Sequence, residues 1–104
     1  TGSTEVHGLY KLDIIEPALD SLLEHPDLML VITGHTDDEG DALFNMNLSQ
    51  ARADVVKNIF IRKGLDEHRI NTVAYGENMP IRDNLSDDGR QRNRRVEIHL
   101  MKKK

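Results

Sequence analysis

The stretch Leu28-Met29-Leu30-Val31-Ile32-Thr33, closed by Gly34, decides the fold class. It is a short apolar run, rich in strand-forming residues and bounded by turn residues, so it reads as a β-strand buried largely on both faces. Such a strand needs helices to cover it, and the flanking sequence offers them. Upstream, Asp13 and Glu16 have the form of a capping box, and Leu12, Ile15, Leu19, Leu22 and Leu23 recur at helical spacing. A first helix is expected from about Ile14 to Glu24, with Pro17 in its first turn, where a missing N–H removes no ladder bond. Pro26 then stops it. Downstream, Thr36 to Asn47 is dominated by acids, Gly40 and two Asn, which is loop chemistry with a single helical turn around Leu43 and Phe44. Ser49 is the expected N-cap of a second helix, carried by Ala53, Val56, Ile59 and Phe60 and ended by Gly64.

Farther out, Ile70 to Tyr75 reads as a strand, and Ser86 caps a short third helix over Asp87 to Arg92. A last strand alternates Val96, Ile98 and Leu100 on the core face with Arg95, Glu97 and His99 on the wet one. The expected fold is therefore a two-layer α/β sandwich, a mixed sheet with two main helices and a short third helix on one face.

The composition narrows the function. At 104 residues the chain has the size of one domain with one core. A net charge of -4 works against a polyanion, so nucleic acid is not the expected partner. No Cys is present, which excludes disulfides and thiolate metal sites. No apolar run approaches the roughly 20 residues of a spanning helix, so a membrane would be reached only through an anchor upstream of Thr1. Lys102-Lys103-Lys104 reads as a solvated tail.

Four places could carry chemistry. The acidic run Asp37-Asp38-Glu39-Gly40-Asp41 suggests calcium, but an EF-hand starting at Asp37 would need glycine where Ala42 stands and glutamate where Leu48 stands. His35, with Thr36 and Asp37, lacks the positioned nucleophile of a Ser–His–Asp set, and no G-x-S-x-G or H-E-x-x-H occurs. A lone His at a strand end is ordinarily structural. Arg94 shares the parity of Val96 and Ile98, so it should point toward the helix-covered side, where a guanidinium needs an acid or an anionic ligand. Finally, Asp37 follows the buried strand and Arg52 lies in the expected second helix, at the strand-end crevice where α/β sheets bind ligands. The two could form a plain salt bridge, or hold a zwitterion with the carboxylate on its ammonium and the guanidinium on its carboxylate.

Read in order, Gly34-His35-Thr36-Asp37, Asn45, Leu48-Ser49, Arg52-Ala53, Arg69-Ile70, Gly76-Glu77, Pro80-Ile81, Asn84, Gly89-Arg90 and Asn93-Arg94-Arg95-Val96 closely resemble the OmpA-like C-terminal domain over nearly the whole chain. The resemblance implies a periplasmic, Gram-negative, outer-membrane-associated module that binds peptidoglycan without covalent linkage and without cofactor or metal. It implies that Asp37 and Arg52 hold a diaminopimelate head group of the stem peptide and that Asn45 and Arg94 join them. Leu48, Thr36 and Ser49 would shape the pocket. The parent could be a porin, a peptidoglycan-associated lipoprotein or a flagellar stator subunit.

Two departures from the family pattern stand out. The family's opening strand ends in an F-D-x-G-S-like segment, whereas this sequence begins at Thr1-Gly2-Ser3 as if that strand were cut away, so residues 1–104 are expected to be an N-terminally truncated OmpA-like domain lacking a central strand. Either another chain or a second copy, as in a homodimer, would fill that gap, or the domain would be less stable. The run Asp37 to Asp41 is also more acidic than the family's common form. The rivals to wall binding are a protein-interaction or calcium-binding envelope module and a wall hydrolase, the last lacking any credible set of catalytic groups.

Overall fold

A computed structural model describes residues 3–7, 12–38, 40–78 and 95–103, with side chains placed from Ile15 onward. Strand β1 (Ser3–His7) is followed by helix α1 (Leu12–Glu24), strand β2 (Leu28–His35), helix α2 (Ala42–Arg62), a 3-10 turn (Glu67–Arg69) and strands β3 (Ile70–Gly76) and β4 (Arg95–Lys102). The sheet order is β1-β4-β2-β3. β4 runs antiparallel to both β1 and β2, whereas β2 and β3 are parallel, so the sheet is mixed. The parallel pair requires a crossover, which α2 supplies.

Alternation along the strands builds one core. Leu30 and Ile32 of β2, Ile70 of β3 and Val96 and Ile98 of β4 are buried with Ile15, Leu19 and Leu22 of α1 and Ala53, Val56 and Phe60 of α2. Since these strand residues share one face, both helices lie on that face. Polar tethers fix the periphery. Lys63 pairs with Glu16 across the helices, and the Arg69 guanidinium donates to the carbonyls of His25 and Leu28 at 2.9 and 2.8 Å, closing the turn into β2. The backbone N–H and ring of His68 both meet Asp66, at 2.9 and 3.0 Å, and hold its carboxyl below the usual carboxylate range.

Several expectations are corrected. The absent opening strand is not absent: Ser3–His7 pairs with β4 from Ser3↔His99 to His7↔Arg95, and it occupies an edge, not the centre. Helix α1 starts at Leu12, so Pro17 lies inside it beyond the first turn, and Leu23 is exposed instead of joining the stripe. The largest change concerns α2, which begins at Ala42 with Asp41 as its cap, so Ser49 is an interior residue and the second half of the expected loop from Thr36 to Asn47 is helix. The expected helix over Asp87 to Arg92 lies outside the described residues.

Candidate functional site

The site is built where the C-terminal end of β2 meets the N-terminal half of α2, and two glycines allow that meeting. At Gly34 a methyl group would collide with the Ser49 carbonyl of α2. Gly76, ending β3 with a positive φ of 57°, leaves room for the Met46 backbone, whose Cα would lie 3.3 Å from an added Cβ. The helix therefore presses directly on the strand ends.

Ser49 fastens the contact. Its hydroxyl donates to the Met46 carbonyl at 2.8 Å and accepts from the Gly76 N–H at 3.1 Å. Gly76 in turn accepts from the Thr36 N–H at 2.8 Å, extending the β2–β3 pairing past a register shift between Gly34 and His35. One turn earlier on α2, Asn45 donates from Nδ2 to the Asp37 carbonyl at 3.3 Å. Thr36, Asp37, Asn45 and Ser49 are all buried, with Asp37 at 5% and Asn45 at 4% exposure.

Five of the seven expected site residues thus fall at one junction: Thr36, Asp37, Asn45 and Ser49 are joined through the bonds above, and Leu48 is half-buried beside them on α2. Arg52 is half-buried and sits in the middle of α2, one turn beyond Leu48 and Ser49, and not in the helix's first turn. Arg94 lies outside the described residues.

The acidic loop is divided in its use. Asp37 is buried, Asp38 is exposed, and Asp41 caps α2 by accepting from the Phe44 N–H at 3.0 Å. Among the described residues, no three His, Asp or Glu side chains converge as a metal site would require.

Sequence reasoning missed a polar cluster on the sheet face opposite the helices. Arg95, expected in water, is 3% exposed, and its Nε lies 2.5 Å from Glu97. Glu97 also lies 3.3 Å from the His99 ring and 3.8 Å from that of His35. His35 meets the Thr33 hydroxyl at 2.9 Å and stacks on Tyr75 with ring centres 5.3 Å apart. The structural reading of His35 agrees with this arrangement. The signal available in the sequence was the paired parity of Thr33 and His35 with Glu97 and Arg95, which register then brings opposite one another.

The fold belongs to a family that sequence defines as well. The OmpA family pattern matches residues 12–94, and the chain belongs to that family. Outer membrane porin F of Pseudomonas fluorescens is 42% identical over 81 residues, covering 78% of this chain and 25% of the porin. Peptidoglycan-binding protein ArfA of Mycobacterium bovis is 37% identical over 86 residues, covering 83% of this chain and 26% of that protein. The chain thus spans about a quarter of the length of these relatives. In three dimensions it superposes on the peptidoglycan-associated lipoprotein of Burkholderia pseudomallei with a TM-score of 0.87 at 21% identity, over 93% of this chain and 89% of that one, a likeness of fold.

Proposed function

We propose that this chain binds peptidoglycan non-covalently, through the amino-acid terminus of a diaminopimelate side chain, and so tethers an envelope protein to the wall of a Gram-negative cell. The observation that carries the reading is the buried Asp37, fixed just past the end of β2 by a bond to its carbonyl from Asn45, which lies on the same helix as Arg52. A carboxylate at a rigid, water-poor junction suits an ammonium, and a guanidinium suits a carboxylate gripped through two N–H bonds. Asn45 and Arg94 are assigned to the remaining oxygens, with Leu48, Thr36 and Ser49 shaping the walls. The chemistry is recognition without turnover. ArfA is named for peptidoglycan binding, which supports the polymer as partner.

A cross-linked diaminopimelate has spent its distal amine, so stem peptides with a free distal centre should compete best against intact sacculi. Asp37→Ala and Arg52→Ala should each remove most co-sedimentation with sacculi while circular dichroism shows the fold retained. Undiminished co-sedimentation of both folded variants refutes the assignment.

A further inference from the structure

The β2–β3 ladder slips by one residue beside the site. Gly34 pairs with Ala74 and His35 with Gly76, so β3 spends an extra residue, Tyr75, at that step. An extra residue bends its strand and re-aims whatever comes next. Here that is Gly76, whose positive φ of 57° turns the backbone and whose two polar groups serve both halves of the junction. Its carbonyl accepts from the Thr36 N–H at 2.8 Å, one residue before Asp37, and its N–H donates to the Ser49 hydroxyl of α2 at 3.1 Å. The position of Gly76 therefore governs how the backbone leading into Asp37 meets the helix.

The slipped step is held from the sheet face opposite the helices. The Tyr75 ring stacks on His35, 15° from parallel, with centres 5.3 Å apart. His35 is in turn 3% exposed and meets the Thr33 hydroxyl at 2.9 Å through Nε2. Glu97 of β4 lies 3.8 Å from the same nitrogen and is braced by Arg95 and His99. A buried imidazole attached on two strands is a fixed surface, and the half-buried Tyr75 ring registers against it. Resting on the reading of Asp37 given above, we infer that His35, with Tyr75 stacked on it, is a positioning residue for Asp37. It acts across the sheet, through the slipped register and Gly76, and does not touch the ligand.

Calorimetric titration of the purified chain with a diaminopimelate stem peptide tests this. Tyr75→Ala and His35→Ala should each weaken binding by the folded protein about three- to tenfold, the range that one ring stack can transmit. Because both act through one contact, the double variant should bind about as well as the weaker single one, whereas independent losses would multiply. Tyr75→Phe keeps the ring and should bind within about twofold of the wild type. Tyr75 is half-buried on an edge strand, so its two variants decide the matter even where His35→Ala fails to fold. Wild-type affinity in folded Tyr75→Ala, multiplied losses in the double variant, or Tyr75→Phe as weak as Tyr75→Ala each overturns the positioning role. Stem-peptide binding that survives Asp37→Ala marks instead a failure of the underlying site reading.

Discussion

The two halves of α2 are built on opposite rules. From Ala53 to Phe60 the helix is conventional, with Ala53, Val56 and Phe60 fully buried against the sheet. From Ala42 to Arg52 the pattern inverts: Asn45 and Ser49 are buried, while Leu43 and Phe44 face water. Burying polar groups and exposing apolar ones costs stability twice over, so the inverted half is held by other means, two strand glycines, a serine relay and an aspartate cap. On the proposed function, the difference separates a half that folds the domain from a half that presents a surface to the wall.

Mutations that break this contrast should be graded. Phe60→Ala, in the conventional half, should cost about 3–5 kcal/mol in chemical denaturation, with ligand affinity unchanged in whatever fraction stays folded. Gly34→Ala forces a methyl into the Ser49 carbonyl and should cost about 3 kcal/mol, but here affinity should fall with stability, because the inverted half is pushed off the strand ends. Ser49→Ala strands the buried Gly76 N–H and should cost about 1–2 kcal/mol, read as a drop of several degrees in melting temperature. Phe44→Ser should change stability by less than about 0.5 kcal/mol, since the ring it removes is already in solvent. A large loss there would mean that the exposed pair serves the fold after all.

The conventional parts of the molecule were legible in the sequence and the inverted part was not. The alternation of Val96, Ile98 and Leu100, the run Leu28 to Thr33 and the stripe through Val56 and Phe60 all obey the rule that apolar residues face the core. Periodicity fails where that rule is reversed: Leu43 and Phe44 offered no stripe in phase with Ala53, so the first two turns of α2 read as loop with a single isolated helical turn around that pair. Asp41, three residues before Phe44, carried the cap signal that could have found them. Arg95 misled for a related reason, since alternation assigns a face but not how deeply that face is covered. Strand β1, five residues including Thr4, Glu5 and His7, has too little hydrophobic contrast to stand out, although its pairing with β4 is continuous. The site residues came from the ordered family resemblance far more than from spacing, because the Asp37 and Asn45 contact depends on the close approach that Gly34 and Gly76 permit.

The central claim is that the strand-end junction of β2 and α2 is the surface that meets the wall. Amide chemical-shift mapping of the intact chain during titration with a diaminopimelate stem peptide addresses it residue by residue. The largest perturbations should fall on Thr36, Asp37, Asn45, Leu48, Ser49, Arg52 and Gly76, with the opposite end of the sheet, from Glu67 to Ile70 and at Lys102, unmoved. Saturable binding whose perturbations centre on that opposite end, or no perturbation at the junction at saturating peptide, would contradict the account.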